Sequence, residues 1–326
     1  MLDFLSASVY EFIMCALEDA SLPPYKGSTL RGALGHGLRR ATCTTRDRDC
    51  SACLLKGKCV YSIIFESPTP PDAERMRLYP SVPHPYVLEP PEGEKTVFRR
   101  NDLLAFRLVL VGKAQEYFPY LVYSVIQMAS GGLGAARAKF RLEKVRGLKP
   151  GIRKRPFVLF RQEENCLRPA NTAIGARDVK RLSRRYTGAR ELTLRLVTPL
   201  RVRSQRRLAT EIDFVLLVKN LLRRCISLQH FHCGGPPDLP VADLLNTARA
   251  VRVKESHLEW RDWQRFSSRQ QRKMSLGGLV GEVTFAGESF AFLPLLLWGE
   301  LLHVGRATGF GLGKYILIGS EGDVEQ

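Results

Sequence analysis

Residues 290–304 form an apolar run from Phe290 to Val304, long enough for a buried helix. The short segment 314–318, Lys-Tyr-Ile-Leu-Ile, is β-branched and aromatic and predicts a strand. Between them, Gly305-Arg-Ala-Thr-Gly309-Phe-Gly311-Leu-Gly313 places four glycines in nine residues. Glycine lets a backbone approach a ligand closely and turn its N–H groups outward, so this loop predicts phosphate binding, with Arg306 and Lys314 at its flanks. The arrangement recurs 175 residues earlier: a helical pattern over 118–128, then Gly131-Gly-Leu-Gly134, then a strand pattern over 139–145. At that offset Pro119 meets Pro294, Gly134 meets Gly309, Lys139 meets Lys314, Phe140 meets Tyr315 and Leu142 meets Leu317. A repeat of this length predicts two similar domains.

The remaining pattern completes each half. In the first, 8–17 alternates as a strand, 28–41 reads as a helix capped by Ser28, and strands follow near 85–89 and 103–111. In the second, 191–197 is a strand, 211–228 a helix, and 251–263 with 278–285 a strand pair. Both halves read β-α-β-β-α-β, the ferredoxin-like order of an α+β protein. The expected organisation is a first domain over 1–148 with a cysteine insertion at 43–59, a linker over 149–190 rich in Arg, Lys and Pro, and a second domain over 191–326.

Charge narrows the partner. Fifty Lys plus Arg against thirty-two Asp plus Glu give a net charge of +18 on a chain that is 44% hydrophobic, so a globular polyanion binder is expected. Uninterrupted apolar stretches stay short of the ~18 residues of a spanning helix, and Met1-Leu-Asp-Phe-Leu lacks a basic region, so neither a membrane nor secretion is expected. Nucleic acid remains as the leading partner. Cys43, Cys50, Cys53 and Cys59 place four thiols in seventeen residues, one pair as C-x2-C, which suits a tetrahedral structural Zn²⁺. An iron–sulfur cluster takes the same ligands, and without secretion two disulfides are the weaker reading.

Several segments resemble the CRISPR-associated repeat-processing endoribonucleases of the repeat-associated mysterious protein superfamily. They are Leu22-Pro-Pro-Tyr25-Lys-Gly27-Ser28-Thr-Leu30-Arg31-Gly32-Ala-Leu-Gly35-His36, then Cys59-Val-Tyr61 with Phe65-Glu66, then 260–281, and finally the glycine loop from Val304 to Gly313. The resemblance implies two ferredoxin-like domains that grip the repeat of precursor CRISPR RNA in a prokaryotic cytoplasm. It implies one cut per repeat with no metal required: a ribose 2′-hydroxyl attacks the adjacent phosphate and leaves 2′,3′-cyclic phosphate and 5′-hydroxyl ends. A non-catalytic RNA-binding subunit of a CRISPR effector complex shares the glycine loops, and other effector subunits are then partners. A zinc-dependent nucleic-acid module is a third reading, and it leaves the paired loops unexplained.

Such cleavage needs proton transfer at neutral pH and a cation beside the phosphorane. The resemblance places a catalytic histidine on the first helix, where only His36 lies, with Tyr25 and Arg39 or Arg40 in support. The alternative is a plain surface histidine. His303, ending the last helix before the glycine loop, is the second candidate, and a helix-dipole role is its alternative. His230 and His232, beside Cys233, suit structural roles or a minor metal site; His84 and His257 carry no distinctive signal. Expected RNA contacts are Lys26, Arg31, Arg137, Lys139, Arg265, Arg269, Gly305, Arg306, Gly309, Gly311, Gly313 and Lys314. On the hairpin of 260–272 the aromatics are expected inward and the arginines outward.

Overall fold

The computed structural model describes residues 2–45, 49–50, 52–186, 188–189, 191–205, 207–267 and 272–319; side chains at 154, 264–267, 272–274 and 290 fall outside that description. The protein is α+β. Its chain divides into two units, Ser6–Ile174 with Phe231–Cys233, and Met1–Leu5 with Gly175–His230 and Gly234–Gln326.

In the first unit β1 (Ala7–Ala16) leads to α1 (Gly27–Thr42), then β2 (Tyr86–Glu89), β3 (Leu103–Val111), α2 (Phe118–Gly131) and β4 (Phe140–Lys149). The strands pair antiparallel in the order β2-β3-β1-β4. One sheet face carries Phe12, Met14, Phe106 and Phe140 into a core closed by Leu30, Leu34 and Leu38 of α1 and by Val125 and Met128 of α2. The leucines recur every fourth residue, so they line one stripe of α1. Each stabilises the unit by about 1.5–3 kcal/mol through burial. Gly37 lets the two helices approach closely, because a Cβ there would run into the Ser124 carbonyl oxygen.

Two expectations change here. Ser28 does not cap α1: the helix begins at Gly27, the Lys26 carbonyl accepts from Leu30 N at 2.9 Å, and Ser28 Oγ is buried without a partner among the described residues. Residues 149–190 are not a linker. The apolar run Phe157-Val-Leu-Phe160 makes β5 (Arg153–Arg161), which pairs antiparallel with β4 and extends the first sheet. Basic residues at its ends masked that run in the sequence. Helix α3 (Ala176–Ser183) follows.

The second unit runs β6 (Glu191–Leu200), α4 (Phe214–Cys233), α5 (Val241–Ala248), β7 (Arg252–Arg261), the hairpin β8 (Gln264–Ser267) and β9 (Arg272–Ser275), β10 (Gly278–Ala286), α6 (Leu293–Leu302) and β11 (Tyr315–Gly319). Its main sheet is antiparallel in the order β7-β10-β6-β11. The offset of 175 residues relates β3 to β10 over their whole length, the first residue of α2 to that of α6, and the first residue of β4 to that of β11. Proline opens both helices, where its fixed φ suits the first turn. Among the described residues no helix is long and apolar enough to cross a membrane.

Candidate nucleic-acid interface

The leucine stripe of α1 faces the core and leaves Gly32, His36 and Arg40 exposed at four-residue spacing. Among the described residues His36 has no hydrogen bond or ion pair. Each of the other histidines has a polar neighbour. His84 Nδ1 lies 3.0 Å from Ser67 Oγ, His230 Nδ1 donates to Gly235 O at 3.4 Å, and His232 Nε2 donates to Pro83 O at 2.7 Å. His257 stands 4.0 Å from Glu255, and His303 Nδ1 donates to Leu312 O at 3.1 Å. His303 is 0% exposed at the end of α6, which removes it from any ligand-facing role.

The residues expected around His36 separate. Arg40, one turn further along α1, reaches the first glycine loop: a Cβ on Gly131 would lie 3.8 Å from its Nη1. Lys139 Nζ donates to the Gly131 carbonyl at 3.5 Å, and Arg137 is exposed beside it. Arg39 turns elsewhere. Its Nη2 donates to Cys50 Sγ at 3.0 Å, and its guanidinium lies 4.9 Å from the Tyr61 ring centroid. Burial pushes the Arg39 pKa down, but the Cys50 hydrogen bond and the nearby Tyr61 and thiols outweigh it and hold it above the usual value. Tyr25 is half-buried, and burial pushes its phenol well above the usual range.

Two expected RNA cations are structural. Lys26 is 2% exposed; its Nζ donates to Pro24 O at 2.9 Å, it lies 5.9 Å from the Phe98 ring, and burial lowers its pKa. Arg31 Nε donates to the Tyr86 hydroxyl at 3.0 Å while its guanidinium covers Phe65. Both are held by the packing that seats α1; Lys26 is buried there, while Arg31 stays half-exposed.

The two glycine loops differ. The first is a tight turn in which Leu133 and Ala138 exchange backbone hydrogen bonds of 2.8 and 3.0 Å and residues 135–137 are exposed. In the second, Gly309, Gly311 and Gly313 are buried. Gly311 N donates to Thr308 O and Gly313 N to Pro199 O. The Thr198 hydroxyl donates to Gly311 O and accepts from Lys314 N. These N–H groups face inward, so the expectation of a cradle built from all four glycines is corrected. Gly313, at φ +73°, is required because a Cβ would strike the Val304 carbonyl. The N–H groups of Gly305, Ala307, Thr308 and Gly309 have no partner among the described residues.

Arg306 is exposed next to Arg201, a residue that sequence patterning did not single out. Arg201 donates to the Gly277 carbonyl, and Arg306 N donates to Arg201 O at 2.9 Å. Burial, then repulsion from Arg306, lowers the Arg201 pKa, with Asp262 opposing. Paired guanidiniums at a loop with open N–H groups suit a phosphate. Trp260 is 39% exposed, not inward, and its Nε1 donates to Asp262 Oδ1 at 3.0 Å. Arg269 lies outside the described residues, and so does the side chain of Arg265.

Cys43, Cys50, Cys53 and Cys59 line one small cavity with Arg39, Lys56 and Tyr61. All four are half-buried free thiols. Among the described residues no three His, Cys, Asp or Glu side chains stand close enough together to hold a metal ion.

Residues 194–315 match the family model of the CRISPR-associated endoribonuclease Cas6, and residues 5–172 match a model described as the AF_1859_N N-terminal domain. The chain belongs to the family of that N-terminal domain model and is Cas6-like over residues 194–315. Among solved structures it is similar in fold to a "Partial Cas6-RT-Cas1--Cas2 complex" (TM-score 0.61, 14% identity), covering 98% of this chain and 47% of that one. It is also similar to a "Cas6 (TTHB231) product complex" (TM-score 0.56, 16% identity, 96% of this chain and 100% of that one). The same protein without that description, Thermus thermophilus Cas6, gives a TM-score of 0.55 at 16% identity over 96% and 99% of the two chains. The chain thus spans about half, and in a further case 30%, of the first structures it matches. No curated protein matches it.

Proposed function

We propose that this chain binds CRISPR repeat RNA and cuts precursor CRISPR RNA once per repeat, with no metal ion in the reaction. The observation that carries the reading is the exposed His36, unpartnered among the described residues, with Arg40 one turn on at the first glycine loop. His36 takes the proton of the ribose 2′-hydroxyl as the 2′-oxygen bonds to phosphorus. The bond from phosphorus to the 5′-oxygen breaks, and the His36 imidazolium returns its proton to that oxygen, leaving a 5′-hydroxyl beside a 2′,3′-cyclic phosphate. Arg40 sits where negative charge develops on the phosphorane. Arg137 and Lys139 hold neighbouring phosphates, and Arg201 with Arg306 offers a second anchor.

The same reading takes each unit as a ferredoxin-like domain, supported by connectivity β-α-β-β-α-β with the second, third, first and fourth strands side by side. The protein acts in a prokaryotic cytoplasm, and other CRISPR proteins are its partners, as in the Cas6-RT-Cas1--Cas2 assembly of a fold relative. One observation favours a binding subunit without cleavage: Arg39 is engaged by Cys50 and Tyr25 is half-buried, leaving His36 and Arg40 alone on the stripe. Incubating the protein with its cognate repeat RNA in EDTA separates the two readings. Cleavage with cyclic-phosphate ends, reduced by about 10²–10⁴ in His36→Ala, is expected. Tight binding without product supports the subunit reading, and metal-dependent cutting overturns the mechanism.

A further inference from the structure

The cysteine segment is a motif that the ribonuclease reading does not use. No described residue from 43 to 60 is buried, and Leu54 is fully exposed, so apolar packing does not hold this stretch together. Its polypeptide is nevertheless folded back on itself through turns, with Lys56 N on Cys53 O at 3.0 Å and Cys59 N on Leu55 O at 2.7 Å. A short segment without a core needs a cross-link, and four thiols facing one cavity are the available means.

The ends of the segment are tied to α1. Cys43 directly follows the helix, and its N–H bonds to Arg39 O. Cys59 precedes the turn of helix at Ser62–Glu66, where Ile63 N donates to Cys59 O at 2.9 Å. Phe65 of that turn lies against Gly35 of α1 and stacks on Tyr86 at 5.1 Å; Tyr61 stacks on Phe65 at 5.7 Å. Arg39 bridges the two ends through Cys50 and Tyr61.

We propose that Cys43, Cys50, Cys53 and Cys59 bind one structural Zn²⁺ as thiolates, and that Arg39 is its charge-balancing positioning residue. The site clamps the C-terminal end of α1 to the helical turn that carries Phe65. Four thiolates around Zn²⁺ leave a net negative charge, which the guanidinium already on Cys50 offsets. The four thiols line the same cavity, although no three described ligating groups stand within reach of one ion, so binding requires them to be drawn together. This inference is independent of the cleavage reading, because it concerns folding of α1 and not RNA.

The test is metal analysis of the purified full-length chain. About one zinc per chain is expected, and exchange for Co²⁺ gives the intense thiolate-to-metal absorption and d–d bands of a tetrahedral all-sulfur site. Cys50→Ser with Cys53→Ser removes the metal. Should that variant fail to fold, thiol counting on the wild type decides: four of the eight cysteines react only after chelation. Arg39→Ala releases zinc to a competing chelator about tenfold more readily, and Arg39→Lys restores most of the difference. A metal-free protein, iron with sulfide, or a mass two protons light for each disulfide among these cysteines overturns the proposal. Unchanged zinc retention in Arg39→Ala removes the positioning role.

Discussion

The two glycine loops follow matching helices and precede matching strands, yet they do different work. The first presents Arg137 and Lys139 at an exposed turn beside Arg40. The second buries three of its four glycines and engages the N–H groups of Gly311 and Gly313 in backbone bonds, while those of Gly305, Ala307, Thr308 and Gly309 have no partner among the described residues, beside Arg306 and Arg201. The helices that follow the first strand of each unit differ in parallel. Exposed positions four residues apart are His36 and Arg40 on α1, but Lys219 and Arg223 on α4. A duplicated frame thus repeats positive charge in both units, while an exposed histidine stands on α1 and the histidines of α4, His230 and His232, are half-buried.

Substitution at the buried loop breaks this contrast most sharply. Gly313→Ala forces a side chain at φ +73° into the Val304 carbonyl, and about 2–4 kcal/mol of stability is lost. The control is Gly93→Ala, also at positive φ (+83°) but with nothing within 4 Å, which costs about 1 kcal/mol. Urea melts read the difference, and equal losses would contradict a structural second loop. A smaller effect sharpens the other side. Arg137→Ala with Lys139→Ala leaves the melt unchanged, weakens RNA binding and lowers the slope of log K against log salt by about 1–2. An unaltered slope would place the RNA away from the first loop.

The sequence made some of this legible. The apolar periodicity of 103–111 and 118–128, and the strand pattern from 139, marked β3, α2 and β4 closely, because each buries one continuous face. The repeat offset held because a proline opens both helices and the strands that follow begin at matched positions in both units. What the glycines were for was not legible. A glycine needed for positive φ beside a carbonyl reads the same as one needed beside a phosphate, and Gly313 is the former. Arg39 and Arg40 both fall within a turn of His36, and only packing of Tyr61 and Cys50 sends Arg39 to the cysteine cavity. Lys26 and Arg31 read as RNA contacts in the sequence, whereas packing against Phe98 buries Lys26 and the Tyr86 hydroxyl and Phe65 ring hold the half-exposed Arg31. Strand β5 was hidden because its apolar core of four residues is framed by Arg153, Lys154, Arg155 and Arg161.

The central claim is that proton transfer belongs to the exposed stripe of α1 and has no counterpart on α4. Its most direct test is single-turnover cleavage of repeat RNA by His36→Ala, titrated with imidazole, beside Lys219→Ala. The account predicts that His36→Ala binds RNA but scarcely cuts, that imidazole restores cutting in proportion to its concentration, and that Lys219→Ala cuts at the wild-type rate. Undiminished cleavage by His36→Ala without imidazole would contradict it.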